Sequence, residues 1–310
     1  MESNRVFVGD CLDVLRALPD QCVDLVFGSP PYEDARTYGI AFKLRGQDWV
    51  DWMVERWREM QRVSRGAVVM VVEGKTSKFR WSATPALLMA DLHRAGMWLR
   101  KPPAFHRVGI PGSGGPDWFR NDYEFCVVTS RGKLPWADPT ACGHPPKWAP
   151  GGAMSHRISN GTRRNQWGSA ASGKSMRSRN RDGVMSTPKP KPSHVCVTKQ
   201  SGPEGGAYLP PVKANPGNVI HCKVGGGHMG SNLAHENEAP FPESLAERFV
   251  LSFVPPGGIV LDPFCGSGTT AAVAAKQGRS WIGIDVRSSQ ADLTRRRIKE
   301  VRGTAVEAGG

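Results

Sequence analysis

Strand and helix patterns alternate in two separate stretches of the chain, residues 1–130 and residues 231–310. The run 67–72 has no polar residue, which is typical of a parallel strand that helices cover on both faces. Shorter apolar runs in both stretches are followed by helical periods. The predicted strands cover 5–10, 23–27, 67–72, 123–129, 259–261 and 280–284, and the predicted helices cover 11–18, 47–63, 87–95, 243–253, 269–276 and 288–301. This alternation predicts an α/β fold built on a doubly wound parallel sheet.

The segment between these stretches, residues 131–230, has a different composition. It contains 15 Lys and Arg against three acidic residues, and so carries +12 of the net charge of +13 of the 310-residue chain. Glycine, proline and serine account for 37 of its 100 residues, and no helical period runs through it. The chain therefore divides into the N-terminal part of one domain (1–130), an insert (131–230) and the C-terminal part of that domain (231–310).

The insert is predicted to bind a polyanion. Its basic residues are interleaved with glycines and with aromatic residues such as Trp148 and Trp167, a pattern typical of a surface that follows a DNA backbone. The predicted DNA-binding residues are Arg157, Arg163, Arg164, Lys174, Arg177, Arg179 and Arg181. A disordered linker has the same composition, and that interpretation stays open.

The remaining composition argues against a membrane or secreted protein. The longest aliphatic run has six residues, whereas a transmembrane helix needs about 20. The first residues contain no apolar stretch of the kind found in secretory signals. Seven cysteines are an odd number, which suits reduced thiols better than a disulfide framework. We expect a cytoplasmic protein with no membrane partner.

A glycine-rich sequence, DPFCGSGTTA at 262–271, lies between a predicted strand and a predicted helix. Gly266 and Gly268 allow the backbone to approach a ligand closely, and the amides at the helix start favour negative groups. Asp285 follows at the end of the next predicted strand, where a carboxylate can accept hydrogen bonds from ribose hydroxyls. The spacing from Gly266 to Ala271 also matches a nicotinamide-dinucleotide motif. Both interpretations predict an adenosine-type ligand.

A second motif, Ser29-Pro30-Pro31-Tyr32, follows the predicted strand 23–27. Two consecutive prolines favour an extended backbone whose carbonyls remain available as acceptors. A hydroxyl, a rigid acceptor backbone and an aromatic ring would suit an exocyclic amine on a flat base. A simple Pro-Pro turn at the end of a strand is the alternative.

Together these motifs resemble those of the DNA amino-methyltransferases that use S-adenosyl-L-methionine, in the permuted group whose catalytic motif precedes the cofactor motif. The segment 8–11 resembles the family's adenine-contacting strand end, and 235–245 resembles the segment that closes its cofactor pocket. The resemblance implies a Rossmann-like methyltransferase sheet with a loop-rich basic target-recognition insert. It implies catalytic roles for Ser29, Pro30, Pro31 and Tyr32, and cofactor-binding roles for Asp10, Cys11, Asn237, Phe241, Asp262, Pro263, Phe264, Gly266, Gly268, Thr269, Thr270 and Asp285.

The implied reaction is direct methyl transfer to an exocyclic nitrogen of a base flipped out of duplex DNA. Ser29 and the Pro30 carbonyl would accept the hydrogens of the amine, and Tyr32 would stack on the base. A serine at the first position favours cytosine-N4 as the target, with adenine-N6 as the alternative. Ring-carbon methylation of cytosine needs a Pro-Cys dipeptide, which the chain lacks. An inactive DNA-binding protein of the same fold and a methyltransferase acting on RNA or a protein amide are further alternatives.

The resemblance also implies a prokaryotic or phage-encoded protein of the restriction-modification type. Its expected partners are double-stranded DNA and a cognate restriction nuclease that acts separately, and a monomer or homodimer is expected. Zinc was considered because three His/Cys pairs lie in the insert, but their spacing matches no zinc-finger pattern and no metal is predicted. These pairs are Cys142 with His144, His194 with Cys196, and His221 with Cys222. Glu124 and Arg120 are candidates for either the DNA surface or the catalytic cleft.

Overall fold

The computed structural model describes residues 2–33, 42–110, 114–145 and 213–307, with side chains up to residue 303. The chain separates into two compact units. The first consists of Met1–Cys142 together with Asn215–Gly310, and the second of Gly143–Ala214. Nearly all of the second unit lies outside the described residues, and so do the seven basic residues predicted to bind DNA.

A nine-stranded sheet forms the centre of the first unit. Its strands are β1 (Arg5–Val8), β2 (Val23–Gly28), β3 (Ser64–Val72), β6 (Trp98–Arg100), β7 (Ala104–Val108), β8 (Tyr123–Ser130), β9 (Val219–Lys223), β10 (Ile259–Asp262) and β11 (Ser280–Asp285), while β4 (Thr76–Ser77) and β5 (Arg80–Trp81) form a separate hairpin. The order is β1-β11-β10-β2-β3-β8-β7-β9, with β6 paired to β8. The first five strands are mutually parallel, and β8 is antiparallel to both β3 and β7.

Within the described ranges, six α-helices cover the sheet: α1 (Cys11–Ala17), α2 (Gly46–Val63), α3 (Thr84–Arg94), α4 (Glu243–Phe253), α5 (Thr269–Lys276) and α6 (Ser288–Glu307). Successive side chains of β2 point to opposite faces, as the pleat of a strand requires. Leu25 and Phe27 pack with residues of α4, α5 and α6, whereas Val26 packs with residues of α1, α2 and α3. Both faces are therefore buried, and the prediction of a doubly wound α/β fold is confirmed.

The topology creates a crevice at the carboxyl ends of two neighbouring strands. From β10 the chain runs through α5 to β11 on one side, and from β2 it runs through α2 to β3 on the other. Ligands of doubly wound proteins bind at such a reversal of strand order. Here β10 ends at Asp262 and β2 ends at Gly28, so both sequence motifs begin at this crevice.

Several short elements were not predicted, among them β6, β7, the β4–β5 hairpin and β9. The strand β9 lies within the segment 131–230 but pairs in parallel with β7, so the compact unit resumes at residue 215 rather than 231, and it also includes residues 131–142. Exposed and buried residues alternate along the five residues of β9, and two of the exposed ones, His221 and Lys223, are polar. The sequence therefore has no continuous apolar run that would predict this strand. The predicted boundaries therefore differ from this division on both sides of the insert.

Three pairs of cysteine and histidine were candidates for metal ligands. In the first pair, Cys142 Sγ lies 3.8 Å from the Glu247 carbonyl and His144 Nδ1 lies 2.9 Å from the Pro145 carbonyl. Within the described ranges, no group of three or more His, Cys, Asp or Glu side chains could hold a metal ion. His221 instead faces His106 across β9 and β7, with the two Nδ1 atoms 2.7 Å apart, and Cys222 is buried. His194 and Cys196 lie outside the described residues. None of the described helices is long and apolar enough to cross a bilayer.

Candidate active site

A cavity of about 970 Å³ occupies the crevice at the carboxyl ends of β10 and β2. Most of the residues predicted from the two motifs line it, together with the segment 237–242. They are Asp10, Cys11, Ser29, Pro30, Pro31, Tyr32, Asn237, Phe241, Pro263, Phe264, Gly266, Thr269 and Asp285. Asp262, Gly268 and Thr270 do not line the cavity; they lie behind the glycine-rich loop and shape it.

The tetrapeptide Ser29–Tyr32, predicted to be catalytic, extends directly from β2. A side chain at Gly28 would collide with the carboxylate of Asp262, so the glycine allows the two motifs to lie against each other. Ser29 Oγ lies 3.1 Å from the Val71 carbonyl and 3.4 Å from the Tyr32 hydroxyl, and it can donate its one proton to either of these oxygens. Trp49 Nε1 donates to the Pro31 carbonyl at 2.8 Å, whereas the Pro30 carbonyl accepts no hydrogen bond from the described part of the chain.

Tyr32 is held by Glu124, an acidic residue of strand β8. Its hydroxyl donates to Glu124 Oε2 at 2.7 Å, and Arg107 Nη1 lies 3.0 Å from Glu124 Oε1. Glu73 also lines this wall, and burial raises the pKa of its carboxyl. Glu124 therefore faces the cleft, while Arg120 pairs with Asp122 on an exposed loop.

Arg107 and Glu73 were not identified as site residues from the sequence, whereas Glu124 was a candidate for the DNA surface or the catalytic cleft and lines the cleft. Glu124 is an acidic residue near the start of the otherwise apolar predicted strand 123–129. The three tryptophans of α2 differ in position: Trp49 and Trp57 are fully buried, but Trp52 lines the cavity.

The glycine-rich loop is held from behind by Asp262. Its Oδ1 accepts from the Phe264 amide at 3.0 Å and its Oδ2 accepts from Thr270 Oγ1 at 2.6 Å. Burial raises the pKa of Asp262 to about 7, against the lowering effect of these two donors. Gly266 and Gly268 have φ values of 49° and 76°, a left-handed conformation that favours glycine.

A fully buried arginine braces the same loop. Arg297 Nη1 donates to Thr269 Oγ1 at 2.9 Å, and Arg297 Nη2 forms a 2.8 Å ion pair with Glu243 Oε1. The sequence does not distinguish Arg297 from the neighbouring Arg295 and Arg296. Arg297 points inward because of the rotation of α6 about its axis.

Asp285 connects the end of β11 to the loop. Its Oδ2 accepts from the Gly266 amide at 3.0 Å, and its Oδ1 accepts from the Arg287 amide at 2.9 Å. Burial raises the pKa of its carboxyl, although both amide donors act against that rise. A carboxylate has about four acceptor sites, so two remain for ligand hydroxyls. Asn237 packs against Gly266 so closely that a Cβ there would lie 2.8 Å from Asn237 Nδ2.

Asp10 forms the N-cap of α1 at the opposite wall. Its Oδ1 accepts from the Leu12 amide at 2.8 Å, and Arg56 Nη2 lies 3.1 and 2.9 Å from its two oxygens. One acceptor site of the carboxylate therefore remains. Burial raises the pKa of the adjacent Cys11 thiol to about 12, so Cys11 is a neutral packing residue.

An aromatic wall stands beside Asp10. The Trp52 ring lies 5.9 Å from the Phe264 ring and 5.1 Å from the Phe42 ring, and the Arg56 guanidinium lies 4.0 Å above Trp52. The flat apolar rings and the remaining acceptor site of Asp10 fit the base of an adenosine group. The two remaining acceptor sites of Asp285 fit its ribose hydroxyls. The residues present therefore fit an adenosine-containing cofactor.

The doubly wound sheet and this cleft define an α/β enzyme that uses a nucleoside-containing cofactor. A family model described as "DNA methylase", of the N6 and N4 type, matches residues 23–296, and the chain belongs to this family of DNA amino-methyltransferases. The resemblance found in the motifs is thereby confirmed.

Individual relatives agree over nearly the whole chain. An orphan methyltransferase, M.BamHII of Bacillus amyloliquefaciens, is 26% identical over 94% of this chain and 91% of its own length. The DNA adenine methyltransferase YhdJ of Escherichia coli K12 is 24% identical over 96% of this chain and 83% of its own length. The structure of the PvuII DNA methyltransferase (cytosine-N4-specific) matches with a TM-score of 0.62 at 16% identity, covering 98% of this chain and 91% of that one, which shows a shared fold.

Proposed function

We propose that this protein methylates the exocyclic N4 amine of a cytosine flipped out of duplex DNA. That the chain is a DNA methyltransferase follows from its family, and its methyl donor is S-adenosyl-L-methionine. When bound, this cofactor supplies a methyl group on a positively charged sulfur. The proposal adds the target atom and the roles of individual residues.

The observation that carries the choice of cytosine is the pair of neutral acceptors at the start of the catalytic tetrapeptide. Ser29 Oγ has two oxygen acceptors within reach of its one proton, the Val71 carbonyl and the Tyr32 hydroxyl, so its lone pairs remain available to a hydrogen of the amine. The Pro30 carbonyl has no partner within the described residues. Two neutral oxygens can accept both hydrogens of an amine and direct its lone pair away from the ring. A serine at this position favours the N4 target in this family.

Tyr32 is proposed to stack on the flipped base. Its hydroxyl is anchored by Glu124, and Glu124 is anchored by Arg107, so the ring plane is held before the base arrives. An ordered ring loses little freedom when a base stacks on it, which favours a defined position of the amine. Because Ser29 is a neutral hydroxyl, we expect the proton that leaves the amine to pass to water.

The cofactor is proposed to lie along the glycine-rich loop. Asp285 would accept from the two ribose hydroxyls, Asp10 from the adenine amino group, and the aromatic wall would cover the adenine ring. Phe264, Asn237 and Phe241 would complete this enclosure. The amides at the start of α5 would face the carboxylate of the methionine moiety.

The predicted insert is proposed to supply the grip on DNA. Its excess of positive charge is appropriate for phosphate contacts, whose strength falls steeply as the salt concentration rises. DNA as the substrate, together with bacterial relatives, favours action in the cytoplasm of a prokaryote.

Adenine-N6 methylation is the second candidate, because YhdJ is a DNA adenine methyltransferase. The deciding experiment incubates the purified protein and radiolabelled S-adenosyl-L-methionine with unmethylated plasmid DNA, then identifies the labelled nucleoside by mass spectrometry. We expect N4-methyldeoxycytidine, and Ser29→Ala as the control should produce far less of it. N6-methyldeoxyadenosine would overturn the choice of base. No incorporation despite measurable cofactor binding would overturn methyl transfer to DNA. A parallel incubation with RNA in place of the plasmid tests the alternative substrate, and label in RNA alone would overturn DNA as the substrate.

A further inference from the structure

The β4–β5 hairpin presents an aromatic residue to solvent beside the catalytic cleft. Lys78 and Phe79 form its two-residue turn, and the Phe79 side chain is 79% exposed. Both residues have positive φ values, 50° and 63°. Such turns normally use asparagine and glycine, because side chains at positive φ are strained. The turn therefore holds a large apolar side chain outward at a conformational cost that folding alone does not require.

The base of the hairpin is built into the wall of the cleft. Trp81 Nε1 donates to Glu73 Oε1 at 3.0 Å, and the Trp81 ring stacks on Phe125 with centroids 6.3 Å apart. A side chain at Gly74 would collide with the Trp81 indole, so the two ends of the hairpin lie close together. Ser82 closes the base by donating its amide to the Lys75 carbonyl at 3.0 Å.

Glu33 connects the foot of this hairpin, at Lys75, to the tetrapeptide Ser29–Tyr32. Glu33 directly follows Tyr32 and is only 4% exposed. Its Oε1 accepts from the Lys75 amide at 3.1 Å, and its Oε2 accepts from the Gly46 amide at 2.8 Å. The hairpin therefore follows β3 and is held by the residue that directly follows the tetrapeptide.

Charge decides which partner suits this tip. Phe79 stands between Lys78 and Arg80, and all three side chains are exposed. An apolar ring flanked by two cations matches the stacked bases and flanking phosphates of duplex DNA. A hydrophobic protein surface would offer nothing to those two cations.

We propose that Phe79 is a wedge that enters the base stack beside the target and stabilises the duplex from which that base has been flipped. The proposal rests on the proposed function, since it assumes a target base in duplex DNA. Lys78 and Arg80 would contact the phosphates on either side of the wedge. Flipping costs the stacking and pairing energy of the target, and an inserted ring replaces part of that stacking.

The test compares two unmethylated DNA substrates. Both contain a target sequence that has first been identified by mapping where the wild-type protein methylates DNA. In one, the target base is paired; in the other, it faces an abasic position and is already unpaired. Phe79→Ala should slow single-turnover methylation of the paired duplex by about five- to a hundredfold, the range expected for one lost aromatic–base stack. The same variant should regain most of the wild-type rate on the unpaired target, and Phe79→Trp should keep the rate on both.

Trp98→Ala is the matched control. Trp98 is also exposed, at 66%, but it lies opposite Ser130 at the far end of the sheet from the cleft. It should leave both rates unchanged, and all three variants should bind S-adenosyl-L-methionine as the wild type does, which verifies their folding.

Three outcomes would overturn the wedge. These are an unchanged rate for Phe79→Ala on paired DNA, an equal loss on both substrates, and an equal loss in Trp98→Ala. A wild-type protein that methylates no DNA, so that no target site can be mapped, would overturn the proposed function and the wedge together. If the wild-type protein is active and Phe79→Ala methylates paired DNA at the wild-type rate, only the wedge is overturned.

Discussion

The Tyr32 hydroxyl donates a 2.7 Å hydrogen bond to Glu124 Oε2, which joins the tetrapeptide Ser29–Tyr32 after β2 to the antiparallel strand β8. The same carboxylate forms a 3.0 Å ion pair with Arg107 of β7. Three strands therefore contribute to the orientation of one aromatic ring. A hydrogen bond to a charged group contributes about 1.5–3 kcal/mol, so this arrangement is strong enough to restrict the ring.

Glu124→Gln should reduce the rate of methyl transfer about tenfold or more, since the charged acceptor for Tyr32 is lost. Cofactor affinity should stay near the wild-type value, because Glu124 contacts none of the proposed cofactor ligands. Single-turnover rates and calorimetric titration with S-adenosyl-L-methionine measure the two effects separately. Tyr32→Phe should show a similar loss, and combining the two changes should add little. Fully additive losses would mean that Glu124 does not act through Tyr32.

Ser29→Ala should lower methyl transfer about tenfold to a hundredfold, because one of two acceptors for the amine hydrogens is removed. The alanine leaves the backbone of the tetrapeptide intact, so cofactor binding should persist. The labelled-nucleoside assay gives the rate. If the rate is unchanged, the amine is not bound at Ser29.

Asp285→Asn should weaken binding of S-adenosyl-L-methionine about tenfold or more, since a charged acceptor of hydroxyl groups becomes neutral. Calorimetric titration measures the dissociation constant. Asp292→Asn is the matched control on α6, where Asp292 pairs with Arg295 at the surface. Equal affinities of the two variants would contradict the ribose assignment.

Asp262 is expected to make stability depend on pH. Its pKa is raised by burial to about 7, whereas an aspartate of the unfolded chain has a pKa near 4. Below pH 4 both states are protonated and the group contributes no penalty. Between pH 4 and 7 only the unfolded state loses the proton, so the free energy of unfolding should fall by about 1.4 kcal/mol per pH unit from this group.

Asp262→Asn removes this titration, while its side-chain amide can still bond to Thr270 Oγ1. The stability of the variant relative to the wild type should therefore increase from pH 4 to pH 7 and then level off. Urea unfolding at several pH values provides the comparison. Parallel profiles for the two proteins would show that Asp262 ionises in the folded protein as it does in the unfolded chain.

The predicted DNA-binding arginines should control salt dependence. Replacing Arg177, Arg179 and Arg181 with alanine should reduce the slope of log affinity against log salt by about 0.9 for each phosphate contact that is lost. Fluorescence anisotropy with labelled duplex DNA measures this slope between about 50 and 200 mM salt.

The control for charge alone removes Arg16, Arg94 and Arg295, each of which pairs with a surface carboxylate. That triple variant has the same net charge but should keep most of the slope. Identical slopes in the two triple variants would assign the effect to net charge rather than to the insert.

Much of the fold could be predicted from local pattern. The aliphatic run 67–72 lies in β3, and the predicted helix 47–63 differs from α2 by one residue at its start. Strands buried on both faces and amphipathic helices carry strong signals, because burial determines which side chains they can use. The short edge strands β6 and β9 and the β4–β5 hairpin carry weak signals, because exposed positions accept almost any residue.

The sequence by itself determined where the chemistry begins. Ser29-Pro30-Pro31-Tyr32 and the loop after Asp262 each follow a buried strand, and parallel strands bring such ends to one edge of a sheet. Only the tertiary structure decided which side chains complete the site. Glu124 meets Tyr32 across 92 residues, and Arg56 meets Asp10 across 46. Such contacts arise from the order of strands and the rotation of helices about their axes, and no local sequence pattern encodes either of these.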